Sequence, residues 1–291
     1  SVIEAYLDCY YLERAIEVTE RSMQLVQHVE EVLRMRYSSG EQGHSDLINV
    51  QVELGLMEDQ LSSLRDGRLP AASLLNALVG RQHDTAVTVL DSPQFAQLEV
   101  DSLRAWALRD NPHIQMLRAA VMQAQGAVDL SEGEGYPDLT LGVDYVRTGE
   151  RAAAGGPSGR DPLAVMATVK LPVWRAGYRG REKAAISRYQ AARSALQNGE
   201  YRLLAELEGA LFGRRESMRK MALYGGDLLT KAEQAFSVMQ QSFTTGRSRF
   251  FELVSAQRTL LECQLAQERA SVERVRHEAR IQRLVGRRMP S

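Results

Sequence analysis

The segment of residues 204–239, LAELEGALFGRRESMRKMALYGGDLLTKAEQAFSVM, repeats apolar side chains at alternating intervals of three and four residues. It lies inside a stretch of 65 residues without proline, 178–242. Only Arg214 and Gly225 interrupt the apolar seam. A seam that keeps its register for about five heptads predicts a helix that packs on its neighbours as a coiled coil. At ~1.5 Å per residue this helix would be about 98 Å long, which indicates a rod instead of a compact domain.

The composition argues against a nucleic-acid-binding protein and against an enzyme. The 36 basic and 37 acidic residues give a formal net charge of -1, so there is no overall attraction to nucleic acid. The five histidines have no metal-ligand spacing, and no nucleophile or phosphate-binding motif is present. Met218 and Met221 could be soft metal ligands, but both lie on the seam and are interpreted as core. We therefore predict no enzymatic activity, no cofactor and no metal site.

The two ends of the chain are related by an internal repeat. Identical residues recur at an offset of 206 positions in one ungapped alignment. Because 291 residues less this offset leaves 85, one complete repeat is preceded by the last 85 residues of another. This predicts an N-terminally truncated fragment of a longer protein. The matched residues are Gly40 and Gly246, Leu47 and Leu253, Gln51 and Gln257, Leu54 and Leu260, and Leu78, Val79, Gly80 with Leu284, Val285, Gly286.

Three regions are predicted along the chain. Residues 1–80 form the C-terminal half of repeat one, a helical hairpin with its tip near 38–44, and residues 81–110 form a polar linker and a short helix. Residues 111–291 form repeat two. The fold class is mainly α, with long antiparallel coiled-coil hairpins in two structural repeats and one β-hairpin. The predicted parts of repeat two are a helix at 112–132, a β-hairpin at 138–174, a long helix at 178–242, a tip at 243–249 and a return helix at 250–286.

A period of two replaces the helical period in the β-hairpin. Apolar side chains alternate with small or polar ones along two runs, which a loop rich in glycine, alanine and proline separates. Since one face is fully apolar and a lone hairpin is not stable in water, the pattern predicts strands of a membrane β-barrel wall. A hairpin in a soluble β-sandwich is the alternative. The predicted membrane strand residues are Leu139, Leu141, Val143, Tyr145, Leu163, Val165, Val169 and Leu171.

Short motifs recur at the two helical tips. One tip reads Arg36-Tyr-Ser-Ser-Gly before Asp46-Leu-Ile, and the other reads Ser242-Phe-Thr-Thr-Gly before Glu252-Leu-Val. In each, a glutamine stands five residues after the acid. Further motifs are Asn111-Pro112, Tyr136-Pro-Asp-Leu, Leu171-Pro-Val and the Leu-Val-Gly that ends both halves. Together these residues resemble the TolC family of outer-membrane efflux channels, and the resemblance covers essentially the whole chain.

The resemblance implies a homotrimer in the outer membrane of a Gram-negative cell, with long helices that extend into the periplasm as an α-barrel. Each protomer would give two hairpins to a β-barrel in outer-membrane lipid, so one hairpin supplies half of the expected strands and cannot close the barrel. As the channel of a tripartite efflux or type I secretion system, the protein would conduct substrates from periplasm to exterior. Its partners would be a periplasmic adaptor (membrane fusion) protein and an inner-membrane pump. The implied adaptor-docking tips are Ser38, Ser39, Gly40, Thr244, Thr245, Gly246 and Arg247.

The resemblance also places Asp46 and Glu252 at the pore entrance. Carboxylates that symmetry repeats in a narrow pore favour cations and repel anions. Ser255 stands where one repeat of the family can carry a second acid, and Arg247 and Arg249 add positive charge, so simple cation selectivity is left open. For both acids, a stabilising position at a helix N-terminus is an equal alternative.

Two other functions remain open from the sequence. A periplasmic adaptor also contains α-hairpins, but it would need β-rich flanking halves where this chain has one β-hairpin. A coiled-coil scaffold in the cytoplasm would have no reason for the apolar β-hairpin or for two matched tips. Neither alternative would have channel activity, and the residues do not indicate the cargo.

Overall fold

The computed structural model describes residues 2–39, 44–89, 100–147, 161–171, 173 and 175–286. These residues are mainly α-helical with one antiparallel β-hairpin, which confirms the predicted fold class. Among them, no helix is both long enough and apolar enough to cross a membrane. The elements are α1 (Val2–Ser38), α2 (His44–Asp66), α3 (Arg68–Val79), α4 (Val100–Asp110), α5 (Pro112–Gly133), β1 (Asp138–Tyr145), β2 (Leu163–Lys170), α6 (Arg175–Ala222), a π-helical turn (Leu223–Leu228), α7 (Leu229–Thr244) and α8 (Phe250–Val285).

The chain divides into two compact units, of which the first combines Ser1–Ala107 with Leu203–Ser291. In this unit four helices pack side by side in the order α2, α1, α8, α7. Leu33 of α1, Phe243 of α7 and Leu253 of α8 belong to one core cluster and are at most 2% exposed. Burying such a side chain contributes roughly 1.5–3 kcal/mol. The hairpin α1–α2 of repeat one and the hairpin α7–α8 of repeat two therefore share one hydrophobic core.

Both repeats end their last helix in the same way. Gly80 after α3 and Gly286 after α8 adopt left-handed backbone conformations, with φ of 73° and 72°. A side chain is strained in this conformation, which explains glycine at both positions. The Gly80 N–H donates to Ala77 O, and the Gly286 N–H donates to Gln282 O. The matching Leu-Val-Gly triplets therefore mark equivalent helix ends.

The long helix predicted over 178–242 is not a single α-helix. It begins earlier, at Arg175, and Leu223–Leu228 forms a π-helical turn between α6 and α7. The turn contains Gly225 and Gly226, and paired glycines are a common cause of irregularity in a helix. A Cβ on Gly225 would lie 3.1 Å from Gln267 Nε2 of α8, so the glycine also allows α8 to come close. The prediction of an uninterrupted α-helix is corrected at this turn.

The buried face of α6 differs from the predicted seam. Met218, interpreted as core, is 45% exposed, whereas its neighbour Ser217 is 5% exposed. A straight α-helix has 3.6 residues per turn, so its buried face drifts away from a strict seven-residue repeat. Beyond the π-helical turn, which inserts extra backbone, the buried positions resume at Ala232 and Phe236.

Residues 81–89, in the predicted linker, form no helix or strand and pack within the first unit. Asn76 of α3 is 1% exposed, and its Nδ2 donates to Thr85 O at 2.8 Å and to His83 O at 3.4 Å. Val87 and Val89 pack against a cluster formed by Ala5, Cys9 and Leu75. The polar composition of the segment does not predict this packing. The contacts are made by backbone carbonyls, which bind Asn76, and by two valines.

The second unit, Leu108–Arg202, contains α5, the β-hairpin and the first part of α6. Asn111 caps α5: its Oδ1 accepts hydrogen bonds from His113 N at 2.9 Å and Ile114 N at 3.2 Å. Pro112 occupies the first helical position, where its missing N–H costs nothing. α5 and α6 are joined by the Arg118–Glu200 ion pair at 3.4 Å. α5 is thus capped at its start and tied to α6 along its length.

Candidate functional site

Arg36 joins the two helical tips in the first unit. It lies in the last turn of α1, and its Nη1 and Nη2 donate to Phe243 O at 3.1 Å and to Thr244 O at 2.7 Å. Its Cζ lies 5.1 Å from the centroid of the Phe243 ring. Carbonyls in the last turn of a helix lack partners within the helix, and the helix dipole favours a cation there. No role was predicted for Arg36 from the sequence, although a basic residue beside a predicted tip is the signal that identifies it.

The second tip is a closed turn between α7 and α8. The Thr244 hydroxyl donates to Gln241 O at 2.8 Å, and Gly246 reverses the chain with φ of 71°. The Arg247 N–H then donates to Ser242 O at 2.8 Å. These backbone and hydroxyl groups form their hydrogen bonds within the turn and so fix its conformation. The outer surface of the turn is exposed. The predicted docking residues Thr244, Thr245, Gly246 and Arg247 all lie on this surface.

The first tip is described up to Ser39. Ser38 Oγ donates to Met35 O at 2.7 Å, and Ser39 Oγ donates to Arg36 O at 3.0 Å. Both serines are exposed, and they cap the last carbonyls of α1 as the threonines cap α7. The third predicted residue of this tip, Gly40, lies outside the described residues.

The two predicted entrance acids occupy the first turns of the return helices. Asp46 is half-buried in the first turn of α2, and Glu252 is exposed in the first turn of α8. Glu252 Oε2 accepts a hydrogen bond from the N–H of Arg249, the N-cap residue, at 3.2 Å. Glu252 therefore stabilises the start of α8, as the helix-terminus alternative predicts. This role is compatible with an exposed negative charge beside the tip, so a pore-entrance role remains a prediction.

A shallow groove of about 330 Å³ runs between α7 and α8 beside the second tip. Glu252 lines it together with Phe251, which is 77% exposed. Small side chains form its floor: Ala232, Ala235, Ser255 and Ala256.

Several polar contacts join the hairpins below the tips, and two of them involve buried side chains. Arg258 of α8 binds both carboxylate oxygens of Glu53 on α2, with Nε 2.8 Å from Oε1. Glu53 is only 6% exposed, so the guanidinium supplies its charge compensation. Gln257 of α8 donates through Nε2 to Ser22 Oγ of α1, and both residues are buried.

The β-hairpin has the alternation predicted from the sequence. Leu139 pairs with Val169, Leu141 with Ala167, Val143 with Val165 and Tyr145 with Leu163. Since paired residues share a face, one face of the two-stranded sheet is apolar throughout. The opposite face carries threonine, glycine, alanine, methionine and three charged residues. All eight predicted membrane strand residues, including Leu171 just after β2, are exposed in a single chain, between 57% and 73%.

The described residues contain no cluster of three or more histidine, cysteine, aspartate or glutamate side chains that could hold a metal ion. Cys9 and Cys263 are buried and not joined to each other. Burial raises the pKa of both thiols, so neither is a reactive thiolate at neutral pH.

Comparison with known proteins gives consistent matches. A family model described as outer membrane efflux protein matches residues 103–287. The cobalt-zinc-cadmium resistance protein CzcC of Cupriavidus metallidurans is 22% identical over 274 residues, which cover 91% of this chain and 62% of that protein. The chain thus spans less than two thirds of the length of this relative.

Solved structures share the fold. The outer membrane protein VceC of Vibrio cholerae superposes with a TM-score of 0.85 at 21% identity, covering 98% of this chain and 69% of that chain. The MtrE outer membrane channel of Neisseria gonorrhoeae superposes with a TM-score of 0.82 at 18% identity, covering 98% and 65%. At these identities the likeness establishes the fold alone.

Proposed function

The chain belongs to the outer membrane efflux protein family, and from this premise we propose that the full-length protein is the trimeric outer-membrane channel of a tripartite efflux or type I secretion system. It conducts substrates from the periplasm to the exterior of a Gram-negative cell and has no enzymatic activity. A periplasmic adaptor docks at the tips around Ser38, Ser39 and Thr244 to Arg247, and an inner-membrane pump drives transport.

The main support for this proposal is a helix face that is buried on α8, in repeat two, but exposed to solvent on α2, its counterpart in repeat one. On α8, Val254 and Gln257 are 8% and 2% exposed, and Gln257 donates a hydrogen bond to Ser22 of α1. Their counterparts on α2, Ile48 and Gln51, are exposed, Ile48 by 46%. In the repeat, α7 is the counterpart of α1. The open face of α2 therefore matches α7 of a second copy.

This contact joins two different surfaces, so it is heterologous and continues from copy to copy until a ring closes. A ring of paired hairpins is the α-barrel that the family resemblance implies, with three copies as the proposed number. The exposed apolar face of the β-hairpin supports the same assembly. We place Leu139, Leu141, Val143 and Tyr145, with their partners on β2, in the wall that contacts outer-membrane lipid.

The candidate substrates are taken from the name of a relative, because the structure itself does not indicate a substrate. Because the curated relative is named for cobalt, zinc and cadmium resistance, these divalent ions are the first cargo to test. A growth assay of a deletion strain with each metal, with and without the gene, measures this directly.

The channel proposal is tested on the full-length gene product with its native N-terminus. The envelope is fractionated, and the mass of the purified protein in detergent is determined by light scattering. We expect a trimer in the outer-membrane fraction. A soluble monomer or dimer outside the membrane fraction would exclude the channel and favour an adaptor or a coiled-coil scaffold.

A matched pair of variants tests the ring contact. Ile48→Glu places a charge on the open face of α2 and should reduce the trimer to monomers. Leu74→Glu places the same charge on α3, where the repeat counterpart, Arg280, is already exposed. Leu74→Glu should leave the trimer intact. Equal behaviour of the two variants would contradict the proposed face.

A further inference from the structure

A cavity of about 630 Å³ lies in the first unit, where α8 packs beside the π-helical turn. Volumes of roughly 300–1,000 Å³ are typical of sites for small molecules. Leu265, Ala266 and Ala270 of α8 line the cavity with apolar side chains, and Tyr11 and Tyr224 add aromatic rings. All of these residues belong to one chain, so the cavity is complete without a second copy.

The cavity lies beside an irregularity that the equivalent part of repeat one does not have. The π-helical turn Leu223–Leu228 corresponds to residues 17–22, which lie inside the uninterrupted helix α1. Tyr224 of the turn corresponds to Val18, which is 8% exposed and belongs to the core. π-helical turns inside α-helices occur frequently at functional sites. Since repeat one forms its hairpin without such a turn, the hairpin fold alone does not explain it.

Most of the charged groups that line the cavity already have a partner. Lys220 Nζ lies 2.8 Å from Glu216 Oε1, and Glu273 is bound at 3.0 Å by the arginine three residues further along α8. Two lining residues differ: among the residues that the structure describes, Glu262 and Arg269 form no ion pair. Both are exposed. The cavity therefore has one carboxylate and one guanidinium that are available to a ligand.

These two charges are also specific to repeat two. The repeat offset places Leu56 opposite Glu262 and Ser63 opposite Arg269, so repeat one has neither charge. The Cζ of Arg269 lies 5.5 Å from the centroid of the Tyr11 ring. Such stacking positions a guanidinium and leaves its N–H groups, which lie in its plane, free to donate. The packing of the hairpins does not require either charge, and a ligand would use both.

The spacing of the two charges defines the length of that ligand. Glu262 and Arg269 are seven residues apart on α8, so they lie on the same side of the helix, about 10.5 Å apart. Leu265 and Ala266 lie between them in the sequence and line the same cavity. An extended chain spans about 3.3–3.6 Å per residue, so the free ends of a tripeptide are about 10 Å apart.

We propose that this cavity binds a short peptide with free ends, of about three residues and with an apolar middle residue. Its ammonium group pairs with the Glu262 carboxylate, and its carboxylate accepts hydrogen bonds from the Arg269 guanidinium. The middle side chain packs on Leu265 and Ala266. Because the site is built by the helices of a single chain, it goes beyond the channel function and is tested without a transport assay.

Binding of the peptide Ala-Leu-Ala to the full-length protein in lipid nanodiscs is measured by saturation-transfer difference NMR. We expect saturable binding that weakens about tenfold when the amine of the peptide is acetylated or its carboxyl group is amidated, because a charged hydrogen-bonding group is lost. The dipeptide Ala-Leu, which is too short to reach both charges, should lose a similar factor. Absence of saturable binding, or equal binding of the free and blocked tripeptides, would overturn the proposal.

Two variants assign each end of the peptide to its residue. In Glu262→Gln, acetylation of the peptide should cause no further loss of affinity, whereas amidation still should. In Arg269→Gln the pattern should be reversed. Variants that respond equally to both blocked peptides would place the binding elsewhere and overturn the site.

Matched controls make the same changes at exposed positions that do not line the cavity, Glu233→Gln on α7 and Arg188→Gln on α6. Both should bind Ala-Leu-Ala as the wild type does, and a loss as large as that of the site variants would contradict the proposal. Circular dichroism of all four variants should match the wild type, since each substituted side chain is exposed. A protein that binds the peptide in this pattern but forms no outer-membrane trimer would keep the site and lose the channel function.

Discussion

The imidazole ring of His277 on α8 lies directly against the α-carbon of Gly213 on α6. A Cβ at position 213 would come closer than 3.0 Å to three atoms of the ring. His277 is 24% exposed, and its Nδ1 is buried without a hydrogen-bond partner among the described residues. The histidine therefore acts as a packing group, and the glycine sets how closely the two helices approach.

Gly213→Ala should destabilise the protein because the added methyl group overlaps the ring. Overpacking of this kind costs typically about 1–3 kcal/mol. The control is Gly209→Ala one turn earlier, where a Cβ meets nothing within 4 Å. That variant should be neutral or more stable by about 0.5–1 kcal/mol, since alanine restricts the unfolded chain.

Denaturant unfolding of the full-length protein in detergent, followed by helical circular dichroism, measures both variants. The double variant Gly213→Ala, His277→Ala should recover most of the lost free energy because the ring is gone. If Gly213→Ala and Gly209→Ala are equally stable, the close contact does not exist in solution.

Stability should also fall in mild acid through His277. Burial lowers the pKa of His277 below its ordinary value near 6.5; Glu273 opposes this shift, and Arg280 and Arg276 reinforce it. The folded state then binds the proton less readily than the unfolded state. The contribution to stability is therefore full above pH 6.5 and is lost as the pH falls below that value.

Unfolding at about pH 7.5 and about pH 5.5 checks this prediction against His277→Gln, which keeps a polar side chain that does not titrate. Wild type should lose more free energy of unfolding between the two conditions than the variant. Parallel losses would assign the acid sensitivity to other groups.

The sequence predicted the elements of the fold because their signals are local. Asn111 and Pro112 start α5 by capping, Gly80 and Gly286 end helices by their backbone freedom, and the period of two identifies the β-hairpin. Gly246 turns the chain at the second tip with φ of 71°. Each of these signals operates within a few residues, so no knowledge of packing is needed.

The interactions between elements were not predictable in the same way. The π-helical turn at Leu223–Leu228 lies where Gln267 of α8 comes close to Gly225, and Met218 is exposed although it lies on the predicted seam. Arg36 donates hydrogen bonds to the carbonyls of Phe243 and Thr244, which are 207 and 208 residues away in the sequence. A heptad pattern records which residues are apolar, but it does not record which neighbouring helix covers them.

A buried ion triad should dominate the electrostatic stability of the first unit. Glu278 of α8 is 2% exposed and lies 3.1 Å from Arg214 Nε and 2.9 Å from Arg274 Nη1. Glu278→Gln leaves two largely buried guanidinium groups without a counter-charge. Removing one partner from such a group typically costs about 3–5 kcal/mol.

The matched control for the triad is Asp227→Asn, which breaks the Asp227–Lys231 pair at 2.7 Å on the surface. With both side chains about two thirds exposed, this pair should contribute less than about 1 kcal/mol. Chemical denaturation of the two variants gives both values. A loss for Glu278→Gln as small as that for Asp227→Asn would mean that water compensates the buried arginines.

Glu252 allows its two candidate roles to be separated by chemistry. Glu252→Gln keeps an oxygen that can accept the hydrogen bond from Arg249 N but removes the charge, whereas Glu252→Ala removes both. We predict that both variants lower cation selectivity of the full-length channel, seen as a smaller reversal potential in a salt gradient. Only Glu252→Ala should also lower stability, by about 0.5–2 kcal/mol for a lost cap. Wild-type selectivity in the glutamine variant would leave Glu252 as a capping residue alone, and Asp46→Asn measured in parallel would then decide whether either acid contributes to the pore field.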